Sequence, residues 1–180
     1  MKSLPSLDEL RVSDLDDAGL KHLAEIPTLR RLIVRGRFTD EGLAELAKLQ
    51  NLQTLTVHSD EKFTPEGMSH LARLPNLTRF NPGCPGFTDA HLAPVAEMKN
   101  LVYLRITGND VTDEGLKHLS GLAKLDDLYL KKTGITDEGL PHLYGLTNLD
   151  WVDFQQTNVT KEAVAKFKAA VPGSRPAGGR

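Results

Sequence analysis

An apolar pattern that recurs about every 24 residues is the feature that most constrains how this chain can fold. Seven units of the form L-x-x-L-x-L, or a close variant, follow one another at spacings of 22 to 25 residues. Their first residues are Leu7, Leu29, Leu52, Leu77, Leu101, Leu125 and Leu149. A unit of this size cannot bury its own apolar side chains, so neighbouring units must cover them by stacking. The period therefore predicts a linear array of stacked units along almost the whole chain.

Each unit divides into a strand half and a helix half. In the unit that begins at Leu101, the apolar residues Leu104 and Ile106 are two positions apart, which places them on one side of an extended strand. Leu116, Leu119 and Leu122 follow at intervals of three, which places them on one face of a helix. We therefore expect one short strand and one short helix per unit.

A T-D-E-G-L motif marks the start of the helix half. We assign the threonine as the helix N-cap, because its hydroxyl can accept a hydrogen bond from a free N–H, and the acidic pair suits the positive helix end. The threonines in this position are Thr39, Thr88, Thr112, Thr136 and Thr160. We interpret the glycines of the motif, at Gly42, Gly115 and Gly139, as permitting close approach of helix to sheet. We interpret the asparagines before the next unit, Asn76, Asn100 and Asn148, as turn formers.

These motifs resemble the leucine-rich-repeat family, in particular its bacterial type with roughly 24 residues per repeat. The resemblance extends from Leu7 to Val171. It implies an α/β fold: a right-handed solenoid or horseshoe of about seven repeats, with a parallel concave sheet and convex helices. It also implies that the strand surface recognises a protein or a peptide.

The two ends of the repeat array lead to separate expectations. We expect one leucine-rich-repeat domain over residues 1–171, in which 149–171 form a C-terminal capping repeat. Residues 1–6 resemble the end of a preceding repeat, because Leu4-Pro5-Ser6-Leu7 matches Ile26-Pro27-Thr28-Leu29. An uncapped N-terminal edge indicates either a longer parent protein or self-association through that edge. Residues 172–180 are rich in Pro, Gly and Arg, and this composition predicts a disordered tail.

The fourth unit departs from the pattern between Pro82 and Phe87. Pro82 stands where a core residue belongs, and proline lacks the N–H that the interior of a parallel ladder requires. We expect the strand to end early there, and a bend near residues 81–87. A hinge, a ligand notch and a tolerated defect all remain open for this segment, in which His91 also replaces the usual glycine.

Side chains that can act as nucleophiles, bases or metal ligands do not form a catalytic or metal-binding pattern in the sequence. Four histidines occupy the same place in different helices, which favours a row along the convex surface over a metal site. They are His22, His70, His118 and His142. Cys84 has no partner evident in the sequence, and neither a phosphate-binding loop nor a catalytic triad pattern is present. We therefore expect a protein that is not an enzyme and that uses no cofactor or metal.

Charge and composition narrow the class of partner. A net charge of −2, with 22 basic and 24 acidic residues, gives no bulk attraction to nucleic acid or to an anionic membrane. No apolar run approaches the roughly 20 residues of a membrane span, and Met1 to Leu10 does not resemble a signal peptide. The single cysteine excludes an internal disulfide and fits a reducing compartment, so we expect a cytoplasmic location.

Strand alternation predicts which side chains face a ligand. If positions four and six of each unit point inward, positions three and five point outward on the concave side. The last three units place aromatic and charged residues there, which is where binding energy concentrates. With Arg79 from the fourth unit, the predicted partner-binding residues are Arg79, Tyr103, Arg105, Asp127, Tyr129, Trp151 and Asp153. The alternative is that the aromatic side chains stabilise the sheet by cross-strand packing, with Trp151 shielding its edge.

Three functions follow from these expectations. A module that binds a protein or a peptide is the first. A structural or self-associating segment of a larger protein is the second. An enzyme is the third and least supported, since no residue constellation argues for one.

Overall fold

Eight short strands form one parallel sheet in the order in which they occur in the chain. The computed structural model describes residues 7–108 and 110–180. The strands are β1 Glu9–Leu15, β2 Arg31–Gly36, β3 Thr54–Ser59, β4 Arg79–Gly83, β5 Tyr103–Arg105, β6 Asp127–Tyr129, β7 Trp151–Phe154 and β8 Arg175–Gly178. The expected remnant repeat at residues 1–6 lies outside the described residues.

A short helical segment follows each of the first seven strands. The α-helices are α1 Asp17–Leu23, α2 Asp40–Leu46, α3 Pro65–Leu71, α4 Asp113–Lys117 and α5 Lys161–Ala170. The remaining segments are 3-10 helices at Asp89–Leu92, Pro94–Glu97 and Asp137–Leu143. Pro141 lies inside the last of these, where its missing N–H is one reason for a 3-10 rather than an α conformation.

The core lies between the sheet and the helical layer and is continuous from repeat to repeat. The inward positions of successive strands pair in register, as in Leu55 with Phe80 and Leu104 with Leu128. Leu104, Ile106, Leu128 and Leu130 are fully buried, so the alternation read from the sequence is correct. The α/β solenoid predicted from the repeat period is confirmed.

A ladder of hydrogen bonds joins the starts of neighbouring helices. At five junctions between repeats, the aspartate at the start of one helix accepts two bonds from the N-cap threonine of the next repeat, one from its N–H and one from its hydroxyl, at 2.6–3.0 Å. The pairs are Asp17–Thr39, Asp40–Thr64, Asp89–Thr112, Asp113–Thr136 and Asp137–Thr160. These bonds hold the pKa of Asp137 below its usual range. The aspartate therefore has two roles: it suits the positive end of its own helix, and it links one repeat to the next.

The glycine of the T-D-E-G motif makes room for this ladder. A Cβ at Gly115 would lie 2.3 Å from Oδ1 of Asp89, and one at Gly139 would lie 2.3 Å from Oδ1 of Asp113. The close approach is thus between a helix and the carboxylate of the preceding repeat. The interpretation of helix-to-sheet contact is wrong in this respect. The terminal helix α5 carries Ala163 at the equivalent place.

The asparagines before each unit also connect repeats. Asn76 donates through Nδ2 to the carbonyl of Gln50 at 2.9 Å, and Asn100 donates to that of Pro75 at 3.0 Å. Asn148 makes the same bond to Ala123 at 2.7 Å. The sequence interpretation of these residues as turn formers missed this bond, which crosses to the preceding repeat.

At the junction after helix α3, a histidine takes the place of the aspartate of the ladder. Helix α3 begins with Pro65 and so offers no carboxylate to Thr88. His91, at the glycine position of the next repeat, accepts the Thr88 N–H through Nδ1 at 3.1 Å, and its Nε2 lies 3.0 Å from the Phe63 carbonyl oxygen. The ring is buried and stacks on Phe87, with centroids 4.7 Å apart. The imidazole thus fills the space and satisfies the donor that an aspartate serves elsewhere.

Strand β4 does not end early at Pro82, contrary to expectation. It has five residues, two more than β5 or β6, and Pro82 pairs with Val57 of β3. Pairing with β5 covers only Arg79 and Phe80. Pro82 therefore lies beyond the β5 ladder, where a missing N–H removes no bond.

The C-terminal residues are ordered, so the predicted disordered tail at 172–180 is a wrong prediction. Strand β8 pairs in parallel with β7 from Arg175 to Gly178. Gly178 has a φ of +109°, and a Cβ there would lie 2.6 Å from the carbonyl carbon of Phe154. The glycine content that indicated disorder instead permits close backbone contact. Because Pro176 has no backbone N–H, the outer edge of β8 lacks one hydrogen-bond donor for pairing with a further strand.

The opposite end of the sheet is more open. Among the described residues, no strand pairs with the outer edge of β1. Leu10, Val12 and Leu15 are only half-buried, whereas the equivalent residues of the second repeat are fully buried. Leu7 is 42% exposed.

Removal of one ladder carboxylate should destabilise the fold. Asp113→Ala leaves the N–H and hydroxyl of Thr136 without their acceptor, and we expect the free energy of unfolding to fall by about 1–3 kcal/mol. The neighbouring Glu114→Ala is the control, because Glu114 makes only an exposed ion pair with Lys117 and should change stability by less than about 0.5 kcal/mol. Urea denaturation measures both; equal losses would show that the ladder adds nothing.

Candidate partner-binding surface

The sheet surface that faces away from the helices, here called the open face, carries two rows of side chains. The first row, from β1 to β8, is Glu9, Arg31, Thr54, Arg79, Tyr103, Asp127, Trp151 and Arg175. The second row is Arg11, Ile33, Thr56 and Asn81, and then Arg105, Tyr129, Asp153 and Ala177. Residues between the rows are core residues. The register therefore brings the predicted site residues onto adjacent strands.

An aromatic cluster occupies the middle of the open face. The rings of Tyr103 and Tyr129 lie 5.2 Å apart and are tilted by 42°. The guanidinium carbon of Arg79 lies 4.2 Å from the centre of the Tyr103 ring, within the range of a cation–π interaction. Both tyrosines are half-buried. Two aromatic rings and one arginine are thus held in place before any partner binds.

Asp127 lies between aromatic residues. Its register partners are Tyr103 on β5 and Trp151 on β7, and Tyr129 follows two residues later on the same strand. Burial raises the pKa of Asp127, and the negative charge of Asp126 adds to this effect. Burial also raises the pKa of Tyr129, with a further contribution from Asp127. The carboxylate is therefore held in surroundings that disfavour its charge.

Trp151 closes the aromatic cluster on the side of β7. Its indole Nε1 is buried and has no hydrogen-bond partner within residues 7–108 and 110–180. The Arg175 guanidinium lies 6.0 Å from the ring and forms an ion pair with Asp150. That pair lowers the pKa of Asp150 and raises that of Arg175. The sequence analysis missed Arg175 because it assigned the tail to disorder.

Two of the predicted residues contribute less than expected. Asp153 is 9% exposed, and its Oδ1 accepts a hydrogen bond from the Gln155 N–H at 2.9 Å. The expectation that Asp153 is exposed to a partner is therefore wrong. Its carboxylate instead stabilises the turn of the chain after β7. Arg105 is exposed, but its Nε lies 3.2 Å from the hydroxyl of Thr107.

A shallow cavity of about 170 Å³ lies next to the aromatic cluster. Strands β3, β4 and β5 line it with Thr54, Leu55, Thr56, Arg79, Phe80, Asn81 and Tyr103. The two threonines and Asn81 were not among the predicted site residues, although the alternation rule had placed them on this surface. The cavity extends the candidate surface toward the N-terminal repeats.

Charge is divided along the open face. Arg35, Arg79 and Arg105 lie on the side of β2 to β5, and the first and last of them contribute to a lowered pKa of His58 that is due mainly to burial. Asp126, Asp127 and Asp150 lie on the side of β6 and β7. A bound partner would therefore meet arginines over β2 to β5 and carboxylates over β6 and β7, with Arg175 on β8 beyond them.

Outside the open face, the described residues include one half-buried thiol. Burial raises the pKa of the Cys84 thiol, whose Sγ lies 3.8 Å from the Phe63 carbonyl oxygen. Over residues 7–108 and 110–180, no three histidine, cysteine or acidic side chains are grouped so that they could hold a metal ion. In the same part of the chain, no helix is long and apolar enough to cross a membrane.

The architecture and the comparisons with known proteins agree. A family model described as a leucine-rich repeat matches residues 97–120, which contain most of the fifth unit. No curated protein matches the chain by sequence. With its parallel sheet, its helical layer and this match over one unit, the chain has the leucine-rich-repeat fold that its motifs predicted.

Solved structures from two bacteria share the fold. A leucine-rich-repeat protein of Leptospira interrogans is 17% identical, with a TM-score of 0.65 over 96% of this chain and 49% of that one. Internalin C2 of Listeria monocytogenes is 21% identical, with a TM-score of 0.60 over 96% of this chain and 78% of that one. Another Listeria monocytogenes internalin is 18% identical, with a TM-score of 0.56 over 94% of this chain and 60% of that one. The chain thus spans about half the length of the Leptospira protein.

Neutralising Asp127 should stabilise the fold. Because its folded pKa is raised, ionisation costs the folded state more than the unfolded state, and Asp127→Asn should increase the free energy of unfolding at pH 7. The gain should shrink as the pH falls through the pKa that Asp127 has in the folded protein. It should vanish below the pKa of the unfolded chain, because the Asp127 carboxyl is then protonated in both states. Urea denaturation from pH 7 to pH 3 measures this. Glu25→Gln is the control, because Glu25 is exposed in the first repeat and is not among the charges that act on Asp127. A loss of stability at pH 7 in Asp127→Asn would contradict the argument.

Proposed function

We propose that the chain is a non-enzymatic module that binds a protein or a peptide on its open face. The observation that carries the proposal is the cluster of Arg79, Tyr103, Asp127, Tyr129 and Trp151, which the register aligns on four adjacent strands. Leucine-rich repeats commonly use their extended strand surface for recognition, which supports the proposal. A reducing compartment such as the cytoplasm suits the free thiol of Cys84.

The surface has the composition of a binding site that is rigid before binding. Aromatic and arginine side chains dominate the energy of protein interfaces, and their removal typically costs 2 kcal/mol or more. The packing of Tyr103 against Arg79 and Tyr129 limits their side-chain freedom, so little entropy is lost when a partner is bound. Packing of the cluster and binding to a partner are compatible, because both tyrosines are only partly buried.

A random library of 12-residue peptides displayed on phage tests the proposal. We expect peptides selected on the wild-type protein to bind Tyr129→Ala about tenfold to thirtyfold more weakly, because an interface anchor is lost. Tyr144→Ala is the matched control, since Tyr144 packs against Phe167 on the helical side. Fluorescence titration measures affinity, and thermal unfolding verifies that each variant is folded. Selected peptides that bind Tyr129→Ala as tightly as wild type, or a failure to enrich any peptide, would refute the proposal.

Self-association through β1 is a second candidate function. Among residues 7–108 and 110–180, no strand pairs with the outer edge of β1. This edge, the exposed Leu7 and the half-buried Leu10 and Val12 favour self-association, because an open edge with apolar side chains pairs readily with another chain.

Sedimentation velocity over about a hundredfold range of concentration tests self-association. We expect the mean mass to rise with concentration, and Leu7→Lys to reduce the rise because it places a charge at the edge. Glu114→Lys, on the helical side, is the control. A monomer at every concentration would exclude this function and leave the open-face proposal intact.

A further inference from the structure

Within the described residues, the Asp127 carboxylate is not paired directly with a cation, and the charges of Arg79 and Arg175 act on it only from beyond contact distance. Over residues 7–108 and 110–180, no side chain forms a hydrogen bond or an ion pair with it. The nearby arginines are engaged elsewhere. Arg79 stacks on Tyr103, Arg105 binds Thr107, and Arg175 binds Asp150.

Aromatic side chains surround this carboxylate on three sides. Tyr103 and Trp151 are its neighbours across the sheet, about 4.8 Å away along the ladder on each side. Tyr129 is the next outward residue of the same strand. Arg79 approaches Tyr103 from β4, the side away from β6, and Tyr129 packs against the same ring at 5.2 Å, so the two tyrosine rings lie together next to Asp127.

We propose that Asp127 and the rings of Tyr103, Tyr129 and Trp151 form a site for one basic side chain, a lysine or an arginine, of the bound peptide. This proposal rests on the open face being the binding surface. The carboxylate supplies the opposite charge, and the rings supply cation–π contacts and cover the aliphatic part of the side chain.

The charges around the site select against other side chains. Asp126 and Asp150 lie close enough to contribute to the raised pKa of Asp127, so a second carboxylate brought by the peptide would be repelled. An apolar side chain would bury the Asp127 charge further without pairing it, which costs free energy. A cation is the only class of side chain that both fills the aromatic space and compensates the charge.

The Arg-rich side of the open face would orient the peptide. A basic residue at Asp127 places the adjoining part of the peptide over Arg79 and Arg105 or over β7 and β8. Acidic residues on one side of the basic anchor would therefore face the arginines. On the other side of Asp127 the peptide would meet only Arg175, which is already paired with Asp150, so the charges favour acidic residues on the β5 side of the basic anchor.

The phage library distinguishes this proposal from the proposed function itself. We expect lysine or arginine to be enriched about tenfold at one aligned position in peptides selected on the wild-type protein. The preference should disappear in selection on Asp127→Asn and change to aspartate or glutamate on Asp127→Lys. Peptides that are weakened by Tyr129→Ala but show no basic preference would overturn the basic-side-chain site while leaving the binding module. A preference that persists on Asp127→Asn would overturn it as well.

A double-mutant cycle gives the quantitative test. A selected peptide and its copy with lysine replaced by norleucine are titrated against the wild-type protein and Asp127→Asn, with the fluorescence of Trp151, the only tryptophan, as the signal. We expect norleucine to weaken binding about tenfold on wild type and to change it little on Asp127→Asn. Equal weakening on both proteins would assign the lysine to another part of the surface.

Discussion

No repeat of this chain can bury its own leucines, and this dependence on neighbours governs the whole structure. Each strand presents one row of apolar side chains to the helical layer, and the adjacent strands continue that row in register. Burial of a leucine contributes about 1.5–3 kcal/mol, so stacking supplies most of the driving force. The Asp–Thr ladder then sets how the helices align, because each threonine donor must reach a carboxylate on the preceding repeat.

The repeat period was sufficient to predict the architecture because burial repeats with the sequence. Features that depend on contacts between repeats were harder to predict. The role of Asp113 in binding Thr136 requires knowing that helix starts lie side by side, which a single unit does not reveal. The prediction of a disordered tail failed for a different reason. A high content of glycine and proline is typical of disorder, but Gly178 permits the close pairing of β8 with β7. Pro82 was misjudged because its strand is paired on only one side at that point.

The candidate surface was predicted in outline by strand alternation, and five of its seven residues lie together as expected. Asp153 is buried because the chain turns after β7 and uses its carboxylate, a local hydrogen bond that alternation does not describe. Arg175 entered the surface only through β8. Among the described residues, Asp127 forms no ion pair because Arg79 stacks on Tyr103 and Arg175 pairs with Asp150, and spacing rules do not predict such pairing.

Pro65 and His91 show that the residues on the two sides of a junction between repeats depend on each other. A carboxylate on one helix and a glycine on the next form a matched pair, and so do a proline and a histidine at the third junction. The boundary between two repeats, rather than the repeat itself, is therefore the exchangeable part. Gene duplication or excision that joins Pro65 to a glycine-bearing repeat would leave Thr88 without an acceptor and an empty space beside it. A new junction of this kind therefore costs stability unless both of its halves are carried together.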